Sequence, residues 1–359
     1  MKKIFLGSLI FILVYLWGQN SDPGRFRLIN ANRLNMVNLE SGQVLQLNGQ
    51  VNFFYGEIEF RSDRAVILDG PKIARLSGNV VVENDSLHLV ADSLAYYRNT
   101  QVLNLGGKVR VTQRTSQGYS RWMEGDYGIY NRAKDTITVW QNVRAWDERE
   151  NGFAECGYGF WDRTNGYAYL IEEPRIRAGV KDTLYISADK MEYFEDERKL
   201  IATFNVETST QDYHANSDFL IYFAKEEQAV FTGQPNFYNE FATATAREFH
   251  LYLDQQKLSR VVLVDSCLVY FAIEGQEEKK NWVQAANIEL NFVDGKVQDF
   301  SADRDVAYYY VQDQDGSQDF FINSATGDRL KALFGEENQL KLMDMGGRIR
   351  GKYFFENQP

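Results

Sequence analysis

The residues able to ligate metals or act as nucleophiles are few. Three histidines (His88, His214, His250) and two cysteines (Cys156, Cys267) lie far apart in a chain of 359 residues. A transition-metal site needs several such donors together, and a nucleophilic thiol needs a base beside it. The sequence also lacks H-E-x-x-H, C-x-x-C and G-x-S-x-G. Gly347 to Lys352 lacks the four-residue gap of a phosphate-binding loop. Asp313-Gln314-Asp315-Gly316 begins like a calcium loop, but the twelfth position from Asp313 is Ser324, where an EF-hand needs Glu. No metal, no cofactor and no enzymatic activity are expected.

What recurs is a carboxylate. Asp92, Asp126, Asp189 and Asp218 each follow a small residue and precede an aromatic four positions on: Tyr96, Tyr130, Tyr193 and Tyr222. Asp63 is a degenerate copy after Ser62. A row of aspartates could serve catalysis or a calcium ladder. Equivalent positions, however, hold Gly157, Arg247 and Asn287, which favours a structural corner where the side chain bonds local backbone.

The elements carrying these corners read as strands, because apolar and polar residues alternate in runs of four to seven. Between Gly78 and Tyr97, Val80 and Val82 share a face, Asn84-Asp85 makes a turn, and Leu87, Leu89 and Ala91 continue that face. Beyond Asp92-Ser93 the apolar positions become Leu94 and Tyr96. Such a slip marks a bulge or corner where a strand passes from one sheet to another. The full unit is L-x-G-N-V-x-V, a turn, an alternation into A-D-x-x-x-Y, and a final strand. Its corner positions are 32, 63, 92, 126, 157, 189, 218, 247, 287 and 328, spaced by 31, 29, 34, 31, 32, 29, 29, 40 and 41 residues. Ten tandem units of about 30 residues predict one elongated, solenoid-like all-β body. The two longest units carry polar insertions at Glu274–Lys280 and Asp313–Asp319, expected as surface loops.

Composition narrows the classes further. With 39 basic and 50 acidic residues the net charge is -11, which disfavours a nucleic-acid partner. Lys2 and Lys3 precede the apolar run Ile4 to Trp17, followed by Gly18, Gln19, Asn20 and Ser21. Residues 1–19 therefore read as a signal peptide, with a core short for a bilayer span. The alternative is an uncleaved anchor to the inner or outer membrane. Export would leave 37 basic and 50 acidic residues, a charge of 37 − 50 = −13. Cys156 and Cys267 belong to the fourth-to-fifth and eighth corner regions. That places several strands between them, beyond disulfide reach, so two free thiols are expected.

The tandem unit resembles the OstA/LptA-like domain of the lipopolysaccharide-transport (Lpt) periplasmic bridge proteins. It is carried by Leu76-Ser77-Gly78-Asn79-Val80 with Ala91-Asp92, by Leu105-Gly106-Gly107-Lys108-Val109 with Gly125-Asp126, and by the terminal Gly351-Lys352-Tyr353-Phe354-Phe355. It covers about residues 27–355 and would make this a long variant, as one body over 20–359 or as two consecutive halves, 27–170 and 171–355. The resemblance implies an antiparallel β-jellyroll, or β-taco, whose two sheets form a V around an apolar groove. It further implies a periplasmic protein that holds the acyl chains of lipopolysaccharide and bridges inner to outer membrane for outer-membrane assembly. Other Lpt components, the inner-membrane complex and the outer-membrane translocon, or further copies of the chain, would join it end to end.

Parity supplies the inward positions on which a groove would depend. They are Val80, Val82, Leu87, Leu89, Leu94 and Tyr96 in one unit, then Val109, Val111, Ile137 and Val139. Later units give Leu184, Ile186, Met191, Tyr193, Leu220, Tyr222, Phe249 and Leu251. The abundant aromatics, 21 Tyr, 24 Phe and 6 Trp, read as ordinary strand composition, with most tyrosines inward. Two other classes stay open: an extracytoplasmic β-solenoid that binds or degrades polysaccharide, and a scaffold or adhesin with a closed core and no ligand. The cross-section discriminates among the three.

Overall fold

The computed structural model describes residues 25–357 except 116–117, 180–182, 212, 240–241, 256, 274–275, 294–295, 314–318 and 336–339. The expected signal peptide lies outside the described residues. Among those described there are 26 strands and no helix. The strands belong to one antiparallel hydrogen-bonded system, which continues without interruption through Tyr167–Ile171.

The hairpin of Ile73–Glu83 with Leu87–Tyr97 shows how the sequence builds a unit. Asn84 Oδ1 accepts from the backbone N–H groups of Ser86 and Leu87 (3.1 and 2.8 Å), which closes the turn. Ala74, Leu76, Val80 and Val82 are buried on the first strand, and Leu87, Leu89, Ala91, Leu94 and Tyr96 on the second. The register jumps between Ser77 and Val80, where Gly78 and Asn79 stand opposite Asp92. Two residues against one is a bulge, and it bends the strand. Gly78 and Asn79 both have positive φ (77° and 46°).

Ten such consecutive positive-φ pairs occur among the described residues, from Gly49-Gln50 through Glu172-Glu173 to Gly347-Arg348. Each folds the sheet, so that apolar rows on both sides of the corner face one interior. The corner aspartates sit against the pair of the following strand. Asn79, Asn142 and Asn205 donate from Nδ2 to Oδ2 of Asp63, Asp126 and Asp189 at 2.9, 2.7 and 2.9 Å. The side chains of Asp92 and Asp218 pack directly over Gly107 and Gly233. All five are held in local corner contacts.

At Gly78 a Cβ would collide with the Asp63 carboxylate, and the φ of +77° is strained for any other residue. Gly78→Ala is therefore expected to lower stability by about 1–3 kcal/mol. Gly346→Ala, where nothing lies within 4 Å, should stay within about 0.5 kcal/mol. Urea denaturation of the two variants measures the contrast, and equal stabilities would refute the account of the corner.

The described part of the first polar insertion, residues 276–280, opens the strand Gln276–Val293, with Gln276 paired to Ile273 at the end of Lys257–Ile273. Residues 314–318 of the second insertion, between the strands Lys296–Asp313 and Asp319–Phe334, lie outside the described residues. Polar residues can continue a ladder wherever its backbone bonds are satisfied and one face remains solvated.

Aromatic rings cluster in the interior toward both ends of the chain. Near the N-terminus Phe60 stacks on Phe53 and Tyr96 (centroids 5.2 and 5.4 Å), with Tyr55 at 6.0 Å. Near the C-terminus Phe271 meets Phe300 and Phe334 at 5.9 and 6.5 Å.

Candidate functional site

Between these clusters the two sheet walls do not pack shut. A cavity of about 770 Å³ lies between them, lined on its apolar walls by Met123, Ala154, Leu170, Ile176, Leu184, Ile186, Met191 and Leu200. Alternation explains the lining: each of these residues occupies an inward row, flanked in sequence by outward side chains. The surplus space follows from residue size. Small inward residues such as Ala145, Ala154, Ala168 and Ala178 stand here, where the N-terminal units place Phe53, Tyr55, Phe60 and Tyr96.

Of the inward positions expected from parity, Leu184, Ile186, Met191, Tyr193 and Tyr222 line the cavity. Val80, Val82, Leu87, Leu89, Leu94, Tyr96, Val109, Val111, Ile137 and Val139 are buried in the closed N-terminal core, each no more than 5% exposed. Leu220, Phe249 and Leu251 are buried and do not line the cavity. The lining is thus concentrated in the middle of the chain.

The cavity's lateral mouth, where the turns of the two walls approach, is spanned by charge pairs from residues remote in sequence. Arg121 donates to Glu195 through both guanidinium nitrogens, Nη1 to Oε2 at 2.8 Å. Tyr119 Oη reaches Glu195 Oε1 at 3.4 Å. A second clasp joins Arg198 to Glu150 by two bonds of 2.8 Å, and Tyr193 Oη donates to the same carboxylate at 3.0 Å. The Arg121 guanidinium also lies 5.3 Å from the Trp161 ring centroid, so one cation ties the rim to the cavity wall.

Burial raises the affinity of the Glu195 and Glu150 carboxyls for protons. The bonds and charges of Arg121 and Arg198 outweigh it and hold both below the usual carboxylate range. Asp147, on the same rim, is pushed up by burial, only partly offset by Arg121. The sign for the clasps follows. A carboxylate whose folded pKa is depressed contributes stability above its unfolded value, near pH 4.3 for Glu, and loses that contribution as pH falls through the folded value. Acidification from neutral to below about pH 4 is therefore expected to release the mouth before the apolar core unfolds. An apolar fluorescent probe added across that range should show faster uptake at low pH; uptake independent of pH down to global unfolding would refute the clasp.

The two thiols play no part in the cavity. Cys156 and Cys267 are free, and burial pushes them up to about 12 and about 11. Among the described residues no group of three or more His, Cys, Asp or Glu could hold a metal ion.

Residues 61–218, which contain the corners from Asp63 to Asp218 and one wall of the cavity, match the family described as OstA-like protein. This part of the chain is similar to the OstA-like family. A solved structure with detectable likeness is that of LptH, described as the LptA homologous periplasmic component of the conserved lipopolysaccharide transport device from Pseudomonas aeruginosa. It is 12% identical, the likeness covers 46% of this chain and 75% of that one, and the TM-score is 0.14. No curated protein matches the chain. The OstA-like segment ends at residue 218, so the cavity extends beyond it to Leu253, Leu258 and Phe292.

The rim residues Arg121, Asp147, Glu150, Glu195 and Arg198 are not legible as a group in the sequence. Each reads singly as a surface charge, since the partners lie 74 and 48 residues apart. The only local signal is their place at or next to hairpin turns.

Proposed function

We propose that the chain is an extracytoplasmic lipopolysaccharide-transport protein that shelters acyl chains in its lateral cavity on the way from inner to outer membrane. The observation that carries this reading is an apolar cavity of about 770 Å³ in a β-sheet fold of OstA-like type, flanked by aromatic clusters. Transfer of an acyl chain from water contributes about 0.8 kcal/mol per methylene, so no charged contact with the chain is needed. The acyl chain loads through the lateral mouth, and the Arg121–Glu195 and Arg198–Glu150 clasps set how readily it opens.

Partners join at the two ends. Among the described residues exposed apolar side chains gather there: Leu34, Met36, Val37 and Leu39 on one edge strand, Ile349, Tyr353 and Phe354 near the other. Among the described residues Arg33–Leu39 pairs with Gly42–Tyr55 alone, and such an edge can accept a further strand. These edges fit end-to-end assembly with other Lpt components or another copy.

A photo-crosslinking residue at Met191, in the cavity, is expected to capture lipopolysaccharide in cells that carry it. The same probe at Leu94, in the closed core, should not. Absence of an adduct at Met191 would remove the transport reading.

A further inference from the structure

Outward positions of a half-solvated sheet are normally polar. Here one outward row is aromatic along several strands. Trp122 pairs with Trp146, Trp146 with Phe153, Phe153 with Arg177, and Arg177 with Tyr185. Their sequence neighbours Met123, Ala145, Ala154, Ile176 and Ile186 line the cavity, so alternation sends the row to the outside. It continues in kind at His214 and Tyr238, stacked at 5.0 Å, and at Trp282 and Tyr309, stacked at 6.5 Å.

The row is concave where it passes the mouth. A cleft of about 530 Å³ is lined by Trp122, Trp146, Phe153, Arg177 and Tyr185, with Asn151 and Thr183 at its margin. Tyr185 is 53% exposed. Arg177 lies over the Phe153 ring at 4.5 Å and forms no ion pair among the described residues, so its donor fork is available. Asn151 spends its amide N–H on the Gly179 carbonyl at 2.9 Å, which leaves its oxygen as an acceptor. Trp122, Trp146, Asn151 and Phe153 border both cleft and cavity.

We propose that this cleft binds the saccharide portion of an amphiphile whose acyl chains occupy the cavity. Ring faces carry the negative side of the aromatic quadrupole, and the C–H faces of pyranose sugars are complementary to it. The interspersed Arg177, Asn151 and Thr183 supply what hydroxyl groups require. Continuity at the rim selects a sugar over a protein partner, because a head group attached to a chain in the cavity emerges at the cleft. The inference rests on the acyl-chain reading of the cavity.

The test uses the full chain and two probes: deacylated lipopolysaccharide for the cleft and a dansylated fatty acid for the cavity. Wild type is expected to bind both, the saccharide with a change in tryptophan fluorescence. Tyr185→Ala and Arg177→Ala, both of which line the cleft and not the cavity, should each weaken saccharide binding at least tenfold while changing fatty-acid affinity by less than twofold. No saccharide binding by wild type, or saccharide binding unchanged in both variants, overturns the cleft. Saccharide binding that depends on Tyr185 and Arg177, without fatty-acid binding, upholds the cleft and overturns the cavity reading instead.

Discussion

Ile186→Trp is expected to weaken binding of an acyl-chain probe at least tenfold while leaving the fold in place. Ile186 is 3% exposed and faces the cavity from the strand Leu184–Ser187, next to Ile176 across the ladder. An indole there extends into existing space, so the overpacking cost of about 1–3 kcal/mol seen in filled cores is largely avoided. Displacing two methylenes of bound chain at about 0.8 kcal/mol each already exceeds the roughly 1.4 kcal/mol that makes a factor of ten. Val111→Trp is the contrasting variant. Val111 is fully buried in the closed core, and the same enlargement should destabilise the protein by about 1–3 kcal/mol without a selective effect on binding. Titration with a fluorescent fatty acid, alongside thermal unfolding, separates the two. Wild-type affinity in Ile186→Trp would mean that the cavity is not the acyl site.

The second large effect concerns the N-terminal aromatic cluster. Phe60 is fully buried and stacked between Phe53 and Tyr96. Truncation removes the ring from contact with three aromatic neighbours and leaves a void that stiff paired strands cannot collapse. Phe60→Ala is expected to cost about 3–5 kcal/mol, read as a shift of the urea midpoint at constant slope. It should also extend the cavity axis toward the N-terminus, giving an additional site for a small apolar probe. A loss below about 1 kcal/mol would show that the aromatic cluster is not what fills this end of the core.

The inward rows and the corners follow from local physics. Alternation is a property of a single strand, so Val80, Val82, Leu87 and Leu89 could be placed inward from their spacing alone. The slip at Asp92 marked a bulge whose partner pair, Gly78-Asn79, announces positive φ by its residue types. The same reasoning misplaced residues 276–280, because a polar run can lengthen a ladder as readily as it can leave one.

It also read the aromatics as ordinary strand composition and so did not place the outer row. Trp122, Trp146, Phe153 and Tyr185 sit on four different strands, and each contributes one ring to a line perpendicular to the chain. A line of that kind depends on register between strands, which a one-dimensional pattern does not contain.

What the sequence determined by itself is therefore the all-β class, the tandem unit, the side of each strand that faces inward and the nature of the corners. All of these arise from interactions within a strand or across one hairpin. Only the tertiary structure decided that the inward rows close at Phe60–Tyr96 and Phe271–Phe300 yet stay apart around Ile186 and Met191. It alone decided that Arg121 meets Glu195 and Arg198 meets Glu150 across the mouth. The physical reason is that a cavity is a difference between the space enclosed by two walls and the side-chain volume filling it. That difference is set by residues tens of positions apart, brought opposite one another by the accumulated bends of the corners.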